Sequence, residues 1–376
     1  MKFKKIRLPF KLKKRVLATG AQNKNTVCFT QDNLAYLSPV LTDLNNLKDF
    51  LAFEKIVKSC LKKRPQIIAY DLHPEYQSTK FAQRLAPGAW RLVPIQHHHA
   101  HIAGTMAENG LKNQKVIGVA LDGTGLGSDG RIWGGEFLIC DYTNFVRKAH
   151  LKEIPLLGGE RAILEPIRLS FAWLYPLYQG RLLKLIKLDK KEWSVLKQMY
   201  LSGFNAPLAS SMGRLFDAAA ALILGKSKVD FEAQLPIELE KYALRCTCLP
   251  GRQAPGDLRG YNFKMSKHKD SYVIDPSPIF KAIIRQLRLR ASKEKMAYQF
   301  HLTVAKMVSK TCLLLKKESR INKVVLSGGV FQNNVLLKLT LDLLYKQGFT
   351  VFKHQQLPCH DASISLGQAV IAAYKD

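Results

Sequence analysis

The sequence lacks the features that would place it across a membrane or in a disulfide-stapled scaffold. No apolar run approaches the roughly 20 residues needed to cross a bilayer; the longest candidate, Ala218 to Leu224, sits inside an amphipathic stretch. Residues 1–15 are basic and interrupted by Pro9, without the apolar centre and small-residue cleavage site of a secretory signal, and read as a solvated basic arm. The seven cysteines are odd in number, irregularly spaced and include no CxxC pair. Cys246 and Cys248 form a lone CxC that reads as two loop thiols. That pattern excludes a zinc ribbon and a disulfide framework, and fits a reducing cytoplasm. Acidic residues are scarce, 29 against 58 Lys and Arg, for a formal net charge of +29. Such an excess bears on partners rather than on fold. No RNA-reading signature with interleaved aromatics accompanies it, so nucleic acid is not expected; an acidic protein or a phosphorylated ligand remains.

What is present is an alternation of short β-rich runs and helical periodicities. Val16 to Thr19, Thr26 to Thr30 and Leu34 to Leu37 read as three successive strands. Asp43 reads as a helix start, and Leu44 to Leu61 carries a helical period. Ile67 to Tyr70 and Leu92 to Ile95 are short buried strands, and His97 to Asn109 is a helical stretch closed by Gly110. The same plan begins again at Val116, with strands at Val116 to Leu121, Ile132 to Ile139 and Phe145 to Ile154. A mostly helical insertion is expected over about 165–275, its last part, 249–275, as loop. Strands and helices alternate again to the end of the chain. Strands with crossover helices imply an α/β class. Two copies of one unit predict two similar lobes, 16–114 and 115–376, as in the superfamily of actin, sugar kinases and heat-shock ATPases (the ASKHA fold).

The sharpest local signal is Gln96-His97-His98-His99-Ala100-His101. Residues four apart share a helix face, so His97 and His101 present two imidazoles together. No Glu follows the first His, which excludes the HExxH protease pattern. The alternative is a histidine-rich surface patch. Asp122, at the end of a strand, and Asp361, at the start of the last helix, are the carboxylates that would complete a site for Fe(II), Zn(II) or Mn(II); Asp361 also reads as a helix N-cap. The glycines of Asp122 to Gly130, Gly125 among them, read as a hairpin whose N–H groups approach phosphate. Ser327-Gly-Gly-Val-Phe-Gln-Asn333 joins strand to helix, and Gly328, Gly329 and Asn333 would face a flat, anionic ligand. Ser210 to Asp217 opens a helix. Gly213 lies on its first turn, and Asp217 is either a ribose ligand or a surface carboxylate.

Together with Lys24-Asn25-Thr26, Asp71 to Thr79, Gly158-Gly-Glu160, Glu165-Pro166, Phe300-His301 and Ser365 to Gln368, these motifs resemble, in order and over almost the whole chain, the C-terminal domain of the HypF carbamoyltransferase family. Antibiotic O-carbamoyltransferases of the TobZ type and tRNA threonylcarbamoyl transferases of the TsaD type are further relatives. The resemblance implies duplicated ribonuclease H-like lobes and carbamoyl transfer from carbamoyl adenylate, made with ATP, to the C-terminal cysteine of a HypE-like maturation protein. That step leads to the cyanide ligands of [NiFe] hydrogenase. It implies a divalent metal, Fe or Zn, on His97, His101 and Asp361 with Asp122. Lys24 and Asp122 would serve at the reacting group, and Gly125, Gly158, Gly159, Gly213, Asp217, Gly328, Gly329 and Asn333 would line the adenylate pocket.

The family carries acylphosphatase, zinc-finger and YrdC-like domains ahead of this region. The expectation is therefore that a separate YrdC-like protein supplies carbamoyl adenylate. Ala21 and Gln22 replace the family's Gly and Glu, Leu157 replaces Pro, and His360-Asp361-Ala362-Ser363 replaces an Asn-Asp-Gly-Gly pattern. That last change motivates an alternative reading as a non-catalytic binding module.

Overall fold

The computed structural model describes residues 2–85, 90–179, 188–246 and 259–375. Cys248, and with it the CxC reading, lies outside them, as do two stretches of the expected helical insertion. The first lobe is built on strands β1 (Lys4–Arg7), β2 (Val16–Ala18), β4 (Cys28–Gln31), β5 (Leu34–Leu37), β7 (Ile67–Asp71) and β8 (Arg91–Ile95), ordered β1-β5-β4-β2-β7-β8. A small pair, β3 (Asn23–Asn25) and β6 (Leu41–Asp43), lies apart. β2, β4 and β5 run antiparallel, whereas β7 and β8 join β2 in parallel.

The second lobe repeats that order. Strands β9 (Val116–Leu126), β10 (Ile132–Cys140) and β11 (Phe145–Leu151) form the antiparallel set. The short strands β12 (Ile154–Pro155) and β13 (Leu208–Ala209) and the hairpin β14 (Lys264–His268) and β15 (Ser271–Asp275) precede β16 (Lys323–Ser327) and β17 (Thr350–Phe352), which join β9 in parallel. The main path runs β14-β15-β11-β10-β9-β16-β17. Each lobe therefore carries the strand sequence 3-2-1-4-5, with the same mixture of directions. This is the duplicated ribonuclease H-like plan of the ASKHA fold.

Two helices lock the lobes together. After α1 (Leu47–Leu61) and α2 (Gln77–Arg84), helix α3 (His97–Glu108) leaves β8 with every residue buried, its first turn capped by the Gln96 side chain, which accepts from the His99 N–H. The helix Ile364–Tyr374 packs across it. The backbones meet: a Cβ placed on Gly367 would lie 1.8 Å from the Ala100 carbonyl oxygen, and one on Gly104 would lie 2.9 Å from that of Ser363. Only hydrogens at those two positions permit so close an approach. One apolar core, including Ala100, Ile102, Ala120, Val325, Ile364 and Ile371, runs through both lobes.

Several local expectations are corrected. The N-terminal stretch is not a solvated arm. Lys4 to Arg7 pairs with β5 at the sheet edge, and Ile6, Leu8 and Leu12 are buried. Its lysines and arginines alternate with these apolar positions, a strand period that the density of charge obscures. Part of the segment expected as loop, 264–275, forms the β14–β15 hairpin, which extends the second sheet by pairing with β11. Asp43 ends a strand rather than opening a helix. The helix Leu47–Leu61 starts one turn later, capped by the Asn46 side chain. After β16 the chain makes a 3-10 turn, Gly329–Gln332, and only then enters a helix, Asn334–Lys346, capped by Asn333. Asp361 opens a 3-10 turn, Asp361–Ser363, before the last helix, and the capping side chain there is His360 rather than Asp361. Among the described residues no helix is long and apolar enough to cross a membrane.

Candidate metal and nucleotide site

Both imidazoles of the α3 face point at one spot between the lobes. His97 and His101 are fully buried, so the reading as a histidine surface patch is excluded. His97 Nε2 stands 3.5 Å from Asp122 Oδ2 and 3.9 Å from Asp361 Oδ1; His101 Nε2 stands 3.6 Å from each. One ligand atom from each of the four residues lies within 4.8 Å of the others. These spacings are too long for direct hydrogen bonds, and both Nε2 atoms are buried without a hydrogen-bond partner. Unpartnered buried polar nitrogens are costly. Two of them converging with two carboxylates fit a divalent cation, whose bonds to imidazole and carboxylate are about 2 Å. Two imidazoles and two carboxylates suit Fe(II), Zn(II) or Mn(II).

Each donor is held from behind. His97 Nδ1 lies 2.8 Å from Asp71 Oδ2 at the end of β7, and Asp71 Oδ1 accepts from the His73 N–H. Asp122 Oδ1 accepts from the Gly329 N–H at 3.0 Å. Burial opposes a charge on His97, but Asp71, Asp122 and Asp361 outweigh it and raise its pKa well above the usual imidazole value. Burial likewise opposes ionisation of Asp122, and the two histidines overcome this and hold its pKa well below the ordinary range. Replacement of the two family glycines by Ala362 and Ser363 leaves Asp361 facing both imidazoles. The Ala362 carbonyl is anchored by the Thr26 hydroxyl at 2.8 Å.

Around this cluster the glycine motifs pack edge to edge. A Cβ on Gly125 would lie 2.6 Å from His97 Cδ2 and 2.7 Å from His98 Cε1, so the hairpin is laid directly on the imidazoles. Gly213 sits against the Gly123 backbone, and Ser211, the cap of the helix Met212–Leu224, donates to the Asp122 and Gly123 carbonyls. Gly328, at φ +101°, lies against the Leu121 carbonyl. Lys24, at φ +48° in β3, is exposed on the same side; β3 packs on the Asp361–Ser363 turn, and the Lys24 charge is felt at Cys359 and His360.

Other expected residues stand differently. Asp217 is not a surface carboxylate. It is buried with Arg214, whose Nε is 2.8 Å from Asp217 Oδ2 and whose Nη2 is 3.0 Å from Glu232 Oε1. Burial pushes the Asp217 carboxyl up to about 6, against the pull of Arg214. Asn333 Oδ1 accepts from the Leu336 N–H, and its Nδ2 lies 2.9 Å from His301 Nε2. Gly158 and Gly159 turn the chain beside Asn205 and Arg168, and their closest neighbours are those residues rather than the histidine–aspartate cluster. Motif reading left Asp71, Glu108, His354 and Glu232 without a role. For Asp71 the signal was there: a lone carboxylate at the end of the apolar run Ile67 to Tyr70.

Residues 118–368 match the family described as carbamoyltransferase, Kae1-like domain, second subdomain, and residues 11–108 match the HypF Kae1-like domain. The chain belongs to the HypF carbamoyltransferase family. Carbamoyltransferase HypF2 of Cupriavidus necator is 35% identical over 95% of this chain and 46% of its own length, and HypF of Synechocystis sp. is 34% identical over 96% and 48%. A HypF homolog of C. necator is 34% identical over 95% of this chain and 91% of its own length. The crystal structure of full-length HypF in its phosphate- and nucleotide-bound form superposes with a TM-score of 0.88 at 37% identity, over 98% of this chain and 47% of that one. T. kodakarensis HypF gives 0.83 at 29% identity, over 98% and 48%. The chain thus spans about half the length of most of these HypF relatives, and nearly all of the shorter homolog.

Proposed function

We propose that this domain transfers a carbamoyl group from carbamoyl adenylate to the C-terminal cysteine thiol of a HypE-like maturation protein, the step that leads to the cyanide ligands of [NiFe] hydrogenase. The observation that carries the reading is the meeting of His97, His101, Asp122 and Asp361 beside closely packed glycine turns. These four residues would hold a divalent ion, Fe or Zn, which when bound supplies Lewis-acid polarisation of a phosphate or carbamoyl oxygen. The backbone of Gly125, Gly213, Gly328 and Gly329 approaches the nucleotide, with Gly158, Gly159, Asp217 and Asn333 on its margin. Lys24 offsets the negative charge that develops as the partner's thiolate sulfur bonds to the carbamoyl carbon. The carbon–oxygen bond to the phosphate then breaks, AMP leaves with the bonding pair, and the thiol proton goes to solvent. The nucleophile comes with the partner, which accounts for a site built of ligands and glycines. A YrdC-like adenylate-forming activity supplies the adenylate.

Incubation with carbamoyl adenylate and a purified HypE-like protein should add one carbamoyl group to the terminal cysteine, read by intact-protein mass spectrometry. Loss of that product in His97→Ala with His101→Ala supports the site. No transfer by a protein that binds metal and adenylate normally sinks the assignment and favours a non-catalytic binding module.

A further inference from the structure

Behind His101, on the side away from the cluster, a line of buried polar side chains crosses from the second lobe to the end of α3. Ser327 Oγ, at the last residue of β16, lies 3.3 Å from His101 Nδ1 and 2.9 Å from His354 Nε2. His354 Nδ1 approaches Glu108 Oε1 to 3.1 Å, bent rather than in line. Glu108, one turn and three residues beyond His101, accepts the Gln355 and Leu357 N–H groups on its two oxygens at 2.8 and 2.9 Å. All four side chains are buried.

We infer that the hydrogen-bonded pair Ser327 and His354, with the Glu108 carboxylate beside His354 Nδ1, fixes the His101 tautomer and aims its Nε2 into the metal site, so that all three are positioning residues. The inference rests on the metal-site reading above.

The protons can be placed one after another. Glu108 acts only as an acceptor towards its two backbone N–H partners, so the proton between it and His354 belongs on Nδ1. Burial pulls His354 below the ordinary imidazole value despite Glu108, so the ring is neutral at physiological pH and its Nε2 is bare. A bare Nε2 must accept, and the Ser327 hydroxyl donates to it. The Ser327 oxygen then has only lone pairs left for His101, whose Nδ1–H donates. With Nδ1–H committed to Ser327, His101 Nε2 is the nitrogen that faces Asp122 and Asp361 and that an ion can claim. Thr105 Oγ lies 2.6 Å from the same His354 nitrogen, and its hydroxyl also reaches the His101 carbonyl at 3.1 Å. Two unprotonated atoms cannot face each other at 2.6 Å, so the Thr105 hydroxyl shares its proton between His354 Nε2 and the His101 carbonyl, and His354 Nε2 accepts from both hydroxyls.

His97 is held in the same orientation by a shorter route, donating Nδ1–H straight to Asp71. The difference follows from position. His97 begins α3, beside the end of β7, whereas His101 lies a turn deeper, where β16 ends in a serine. Metal-bound histidines generally need such a partner on the second nitrogen, and its removal costs about 10–100-fold in metal affinity.

The test titrates the metal-free protein with cobalt(II) alone and follows the visible ligand-field bands, which requires no carbamoyl donor. Ser327→Ala and His354→Phe are each expected to weaken cobalt binding about 10–100-fold. The double variant should cost no more than Ser327→Ala alone, because His354 acts through Ser327. Ser327→Thr, which keeps the hydroxyl, should restore most of the affinity, and Thr105→Val should leave it unchanged. In the zinc-loaded protein, the His101 Nδ1–H resonance should exchange slowly with water, and fast in Ser327→Ala. If Ser327→Ala does not fold, His354→Phe and Ser327→Thr carry the same comparison. Variants that bind cobalt within twofold of wild type, or additive costs in the cycle, overturn the positioning role. Wild-type protein that takes up no cobalt overturns the metal site and the positioning role together. Normal cobalt binding without carbamoyl transfer overturns the transfer reading alone.

Discussion

The replacement Asp71→Asn tests the site with a change of one atom. Asp71 is buried, with Oδ1 accepting the His73 N–H at 3.0 Å and Oδ2 facing His97 Nδ1 at 2.8 Å. The introduced amide has one acceptor and one donor end. The His73 N–H can be satisfied only by the carbonyl end, so the NH2 faces His97. Two donors cannot share one hydrogen bond, so the proton that His97 keeps is the one on Nε2, the nitrogen that faces Asp122 and Asp361. A protonated Nε2 has no lone pair for an ion. Loss of such support costs about 10–100-fold in affinity, roughly 1.4 to 2.8 kcal/mol. Competitive zinc titration against a coloured chelator measures it, with thermal unfolding of the metal-free protein as the control for folding. Zinc affinity within threefold of wild type, in a protein that melts normally, would refute the tautomer argument and with it the role of Asp71.

Metal binding should release protons at neutral pH, since the ion competes with the proton that the three aspartates hold on His97; calorimetry in two buffers of different ionisation enthalpy reads the number, and zero release contradicts the raised value. The same shift makes the metal-free fold pH-dependent. A histidine raised on folding contributes stability that is complete below about pH 6.5 and lost as the pH rises through its folded value. Asp122, lowered on folding, contributes above about pH 4 and loses that contribution in stronger acid. Unfolding midpoints of the metal-free protein should therefore fall on the alkaline side, and a rise there would count against the cluster. Gly125→Ala places a methyl group against His97 and His98 and should weaken zinc binding at least tenfold with a smaller effect on urea unfolding; equal effects would mean that the hairpin matters only for folding. Arg214→Met leaves Asp217 without its cation and should destabilise the fold by about 3–5 kcal/mol at pH 8. The loss should be smaller at pH 5, where a carboxyl already near 6 takes up a proton, and a cost independent of pH would argue against Asp217 as the responsible group.

Local order in this chain is written locally. The alternation of β-rich and helical runs is enough to read two repeated lobes. The i, i+4 spacing of His97 and His101 puts both imidazoles on one helix face, because a helix closes its turn in 3.6 residues whatever surrounds it. Where side chains lean on their own helix or strand, a residue's neighbours in the chain decide its neighbours in space. Distance along the chain defeats that reasoning. Asp122 and Asp361 are 239 positions apart, and they meet only because β9 lies beside β16 and the last helix crosses α3 backbone to backbone at Gly104 and Gly367. The charged N-terminus becomes an edge strand because β5 offers it an unpaired edge. Asp217 is buried because Arg214 accompanies it. Ser327, His354 and Glu108 carry no common motif, and three separate elements bring them into line. A hydrophobic period states which face of an element is covered, whereas the identity of what covers it is a property of the packed whole.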